Sequence, residues 1–228
     1  MRFVSASNPL TIGATRRRAT LSLLAAAVMA LSPTVWAATS DEAVVELQQA
    51  WELINYRTPA AEREKKFEAL ADRAHKVSEA FAGKPEPMVW EGIILSSWAG
   101  EKGGLGALSL VKQAKALYET AIRIDGNALD GSAYNSLGVL YYKVPGWPLG
   151  FGDKAKAREM LQKALAINPN GIDPNYFYAD FLVQTEEPQK AVAHLEKALQ
   201  APARAGRAVA DEGRRTEVRQ LLDKVKGK

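Results

Sequence analysis

The sequence predicts an all-α chain: a short superhelix of antiparallel helix pairs, completed by a C-terminal capping helix. Three observations carry this expectation. Beyond residue 40, apolar residues recur at i, i+3, i+4 and i+7, the spacing of one helix face. No stretch alternates apolar and polar over several residues, and no strand-turn-strand signal occurs. A pattern of small and large apolar residues also repeats along the C-terminal half.

The repeat is clearest between Gly131 and Pro169. Tyr134, Leu137, Gly138 and Tyr141 form the stripe of one helix, and Ala157, Met160, Leu161, Ala164 and Leu165 the stripe of the next. Gly138, Ala157 and Ala164 let the two backbones approach, while the larger residues fill the space around them. Pro169 stops the second helix. An aromatic residue, Leu-Gly, Tyr, then Ala, a large apolar residue, Ala and Pro resembles the tetratricopeptide repeat. The set Ala114, Tyr118, Ala121 recurs as Ala157, Leu161, Ala164 and as Ala191, Leu195, Ala198, at steps of 43 and 34 residues. The second step is the family period; the first holds a surplus of about seven residues between Gly138 and Ala157. That surplus is the run from Val144 to Gly152, and Lys102 to Gly106 reads as a similar extra turn.

Residues 1–37 hold Arg2, Arg16, Arg17 and Arg18 but no acid, then an apolar run from Ala19 to Leu31, then Val35-Trp36-Ala37. This reads as a secretory signal peptide cleaved after Ala37, giving a periplasmic or secreted protein. The apolar run is shorter than the roughly 20 residues of a spanning helix, so no stable membrane anchor is expected after cleavage. The general secretory route fits better than a twin-arginine one, because Ala19 and Thr20 follow the arginine pair where bulky apolar residues are preferred.

Residues 38–228 read as one helical domain. A divergent hairpin spans 41–82, with Asp41 as N-cap of its first helix and Gly83-Lys84-Pro85 ending its second. The repeats occupy about 87–126, 131–169 and 173–202. In the first of these, helices are expected at 87–99 and 107–124; in the last, Asp173-Pro174 reads as an N-cap followed by proline at the first helical position. A capping helix at 209–226 carries Val218, Leu221, Leu222 and Val225 on one side and Arg214, Arg215, Arg219 and Lys224 on an outer, solvated side. The expected total is nine helices in a right-handed superhelix.

Composition narrows the function. The chain has 30 basic and 26 acidic residues, but the signal takes four of the basic ones, leaving the mature protein neutral. Nucleic acid is therefore not an expected partner. With no cysteine, stability must come from a packed core. His75 and His194 stand alone on helices without the spacing of a metal site, Gly103-Gly104-Leu105-Gly106 lacks the lysine and hydroxyl residue of a phosphate loop, and no serine sits in a nucleophile motif. The expectation is no enzyme, no cofactor and no metal.

Binding remains. The resemblance to tetratricopeptide repeats implies that the first helix of each pair lines a concave groove, which places Asn135, Tyr142, Lys143, Tyr176 and Asp180 on that face. Two readings stand: an exported scaffold that takes a protein or peptide in the groove, or a binder of a small hydrophobic ligand. The second follows a looser resemblance, through the spacing and the Pro145-Gly146-Trp147-Pro148 turn, to exported repeat proteins that accompany TRAP-type transporters. For Trp147, Leu149 and Phe151 two roles stay open: covering apolar surface of the preceding unit, or, for Trp147 and Phe151, rimming the groove and contacting the partner.

Overall fold

The structure, a computed structural model, describes residues 39–227. The expected signal peptide and its cleavage point lie outside the described residues. Among the described residues the chain forms nine helices and no strand: α1 (Ser40–Arg57), α2 (Ala60–Ala80), α3 (Pro85–Lys102), α4 (Gly104–Asp125), α5 (Ala128–Lys143), α6 (Lys154–Ile167), α7 (Ile172–Gln184), α8 (Pro188–Gln200) and α9 (Ala208–Lys226). The all-α expectation holds. No described helix is long and apolar enough to cross a membrane.

Local chemistry sets the helix ends, sometimes at other residues than the sequence predicts. Thr39, not Asp41, caps α1: its hydroxyl accepts from the Glu42 amide while the Glu42 carboxylate accepts from the Thr39 amide, a reciprocal capping box. The glycine-rich stretch after α3 is not an inserted turn. A single residue, Gly103, separates α3 from α4, because Gly103 and Gly104 both take left-handed φ angles, +64° and +60°, that reverse the chain at once. Asp173 is not a cap either; Gly171 holds that position, and the Asp173 carboxylate is committed to arginines further along the chain.

The helices pack as hairpins, α3 on α4, α5 on α6 and α7 on α8, each around one close approach. A Cβ added to Gly138 would stand 2.7 Å from Leu161 Cγ, and one added to Gly92 would stand 2.5 Å from the Tyr118 ring. Gly92 and Gly138 thus fill the same place in successive pairs, each under the large residue of its partner helix. In the third pair Ala179 and Leu195, both fully buried, are the equivalent residues.

The odd-numbered helices form an inner set in which α1 packs on α3, α3 on α5, α5 on α7 and α7 on α9. Helix α9 then packs back on α1. Arg57 pairs with Glu212 at 2.5 Å, the buried Glu52 carboxylate accepts from the Ala210 amide at 3.2 Å, and the Tyr56 ring covers Gly213. The concave face is therefore a closed ring of five helices and not an open groove. This also corrects the capping helix: Arg214 lies on its buried side, 8% exposed, between Ala210 and Val218, whereas Arg219 and Lys224 do face solvent.

Candidate binding surfaces

Three regions concentrate chemistry: the space inside the helix ring, a polar knot between α5 and α7, and the edge where α3–α4 and α5–α6 are joined.

The inner cavity has a volume of about 250 Å³ and is lined from α1, α3, α5, α7, α9 and the segment before α9. Its walls combine aromatic rings, Trp51, Trp90 and Phe177 among them, with Asn135 and the guanidinium groups of Arg204, Arg207 and Arg214. The arginines are held by carboxylates. Arg204 pairs with Asp173 at 2.6 Å and with Asp211 at 2.7 Å; Arg214 pairs with Asp173 at 2.7 Å and Glu217 at 2.5 Å. Arg214 is also sandwiched by rings, 4.6 Å from the Tyr176 centroid and 4.4 Å from that of Phe177. Burial would raise the Asp173 carboxyl, but the adjacent Arg214 and Arg204 outweigh it and hold the group down at about 2. Burial pushes the Tyr56 and Tyr176 hydroxyls up to about 12, so both stay protonated.

The α5–α7 knot gathers three of the residues singled out in the sequence. Asp180 accepts from the Tyr142 hydroxyl at 2.7 Å, from Lys143 Nζ at 2.8 Å and from Gln184 at 3.0 Å. The Tyr142 ring meets Phe181 edge-on at 5.6 Å. Burial works to raise the Asp180 carboxyl, yet the Lys143 ammonium and its hydrogen bonds keep it below its ordinary value. These partners satisfy Asp180 within the chain, so the knot joins two helices and leaves little of the carboxylate for a ligand.

The other named residues separate. Asn135 lies in the inner cavity, and Tyr176 stacks under Arg214 beside it. Phe151 is half-buried with its ring edge-on to Tyr141 at 6.0 Å, and it does not line the cavity. Trp147, four residues earlier, is 91% exposed. The turn that carries both is fastened at its base by Gly152 N donating to Pro145 O at 2.9 Å and Asp153 N donating to Tyr141 O at 2.8 Å.

The edge surface involves this same turn. Gly104, Leu105 and Leu108 of α4 face Val144, Pro145 and Leu149 across an apolar pocket of about 510 Å³, with Lys143 at its rim. Leu105 and Leu149 are 92% and 73% exposed. Trp147, also exposed, lies in the same turn as Leu149 but does not line the pocket; exposed large apolar side chains at an apolar pocket mark interaction sites.

The arginines of the cavity were not among the sequence-selected residues, although a signal exists. Arg207, Asp211, Arg214 and Val218 stand at i, i+4, i+7 and i+11, one helical stripe that ends in a fully buried valine.

Residues 149–211, from the inserted turn through α6, α7 and α8 into α9, match the family model described as tetratricopeptide repeat. No curated protein matches the chain. The likeness to transporter-associated repeat proteins therefore rests on the sequence resemblance alone. Tetratricopeptide repeats generally mediate protein–protein interactions, and all-helical folds of this type are typically non-catalytic. The match covers less than a third of the chain, and the described helices as a whole are consistent with an all-α fold similar to that repeat.

Proposed function

We propose that this protein is a non-catalytic scaffold, exported and processed after Ala37, that binds a protein partner through the edge formed by the α3–α4 and α5–α6 turns. The observation that carries the reading is an apolar pocket lined by the exposed Leu105 and Leu149, with the exposed Trp147 in the same turn as Leu149. The inner face favours this placement by exclusion: an α-helix with side chains is about 10 Å across and has no room within a 250 Å³ cavity closed by α9. The occupant suited to the edge is a segment of a partner that offers two or three apolar side chains, one for the pocket and others against Trp147.

Affinity capture from periplasmic extract tests this, comparing the wild-type protein with a Leu105→Ser, Trp147→Ala, Leu149→Ser variant. A partner held by the wild type and lost by an equally stable variant supports the reading. Equal capture by both contradicts it. Loss of self-association in sedimentation, with no heterologous protein captured, would replace the partner by a second copy of this chain. N-terminal sequencing of the exported form, with Ala38 as the expected first residue, tests the processing.

A further inference from the structure

Three residues that line the cavity inside the helix ring carry a buried polar atom without a hydrogen bond in the chain: Asn135, Arg207 and Tyr56, the last through its hydroxyl. Asn135 is 7% exposed and its Oδ1 accepts no hydrogen bond. Arg207 Nε donates no hydrogen bond, although it forms an ion pair with Glu52 Oε2 at 3.5 Å. Burying a polar group unpaired is costly, so three around one cavity call for a reason. Their neighbours are fully committed: Arg204 and Arg214 each hold two carboxylates.

The chemistry of the complement follows from charge, shape and hydrogen-bond polarity. Asp173, Asp211, Glu52 and Glu217 already offset the three guanidinium groups, so the cavity has no surplus positive charge to draw an anion. The free groups are an acceptor on Asn135, a donor on Arg207 and the Tyr56 hydroxyl, which can act as either. Aromatic faces flank them: the Arg207 guanidinium lies 5.1 Å from the Trp90 centroid, and Phe177 and Trp51 complete the wall. At about 250 Å³ the space falls below the roughly 300–1,000 Å³ of sites for drug-sized ligands. A second cavity of about 380 Å³ shares Trp90, Asn135 and Arg207 and extends to the exposed Asn170 on the α6–α7 turn, which supplies a route inward.

We infer that the inner cavity is a binding site for a small, neutral aromatic molecule with a carboxamide-type edge, whose carbonyl accepts from Arg207 and whose N–H donates to Asn135. The site adjoins the apolar edge pocket, sharing Ser96, Val139 and Leu140 with its lining, but Asn135 and Arg207 are not part of that pocket.

Benzamide is the probe, with benzoate and benzylamine as charged counterparts of the same size, and tryptophan fluorescence and calorimetry as readouts on the purified protein. Benzamide should bind in the millimolar range, at least about tenfold more tightly than either charged analogue. Asn135→Leu should weaken it by at least about tenfold while melting at or above the wild-type temperature, because the substitution removes an unpaired buried group. If the leucine variant does not fold, Asn135→Ala gives the same comparison. No binding of benzamide, tighter binding of benzoate, or wild-type affinity in the Asn135 variants would overturn the inference and leave ordered water as the partner of these groups.

Discussion

Gly213 of α9 lies directly under the ring of Tyr56 of α1, so close that a Cβ there would stand 2.3 Å from Tyr56 Cδ1. This approach joins the last helix to the first and turns a row of inner helices into a ring. Gly213→Ala should therefore cost about 1–3 kcal/mol through overpacking. Gly100→Ala is the control, since nothing lies within 4 Å of its added Cβ and the residue is within α3; it should gain roughly 0.5–1 kcal/mol. Thermal or urea unfolding of the two variants measures both.

The hairpin register gives a second expectation. Ala164 is 1% exposed between α6 and its neighbours, so Ala164→Leu should cost about 1–3 kcal/mol. Lys163, next to it, is exposed, pairs with Glu159 one turn back and lies 5.6 Å from the Tyr134 ring centroid, and Lys163→Ala should change stability by no more than about 0.5 kcal/mol. Equal melting temperatures would mean that the α6 face is misassigned.

The inserted turn divides into a buried half and an exposed half. Phe151→Ala removes a ring that lies edge-on to Tyr141 and should cost about 1–3 kcal/mol, less than the roughly 3–5 of a fully buried phenylalanine. Trp147→Ala removes a ring 91% in solvent and should stay within about 0.5 kcal/mol. The sequence alone could not make this division, since both aromatics sit in one short proline- and glycine-rich run. What separates them is the fastening of Gly152 to Pro145 within the turn and of Asp153 to Tyr141 of α5, beside which Phe151 is half-buried while Trp147 stays out.

Asp173 sets an acid limit. Its carboxyl titrates near 2 in the folded chain against about 3.9 when unfolded, so the folded state binds the proton more weakly. The stability this contributes is complete above about pH 4 and is lost as pH falls from there toward 2. Asp173→Asn should flatten the melting temperature over that window, measured by scanning calorimetry, and lower it at neutral pH, because Arg204 and Arg214 lose a shared carboxylate.

Much of the fold was legible because its determinants are local. Tyr134, Leu137, Gly138 and Tyr141 write the stripe of α5 within two turns, and the Ala-large-Ala signature of α4, α6 and α8 fixes which face each partner helix presents. The closure of the ring was not legible, because it depends on Glu52, Tyr56, Ala210 and Gly213, residues more than 150 positions apart that show no periodicity together. Arg214 illustrates the cost. A basic residue on an amphipathic last helix reads as solvated, and only the arrival of Asp173, Tyr176 and Phe177 from α7 explains its burial. Of the residues selected from sequence, Asn135 lies at the inner cavity, while Tyr142, Lys143 and Asp180 hold one another.

The closed ring is the central claim, since it moves the partner surface to the edge and leaves the interior to a small molecule. The chain contains no cysteine, so Arg57→Cys with Glu212→Cys introduces a unique pair at the α1–α9 contact. Treatment of the folded double variant with a short bifunctional maleimide should give near-complete cross-linking within single chains. Recovery of chains labelled separately at both positions, with no intramolecular cross-link, would contradict the ring.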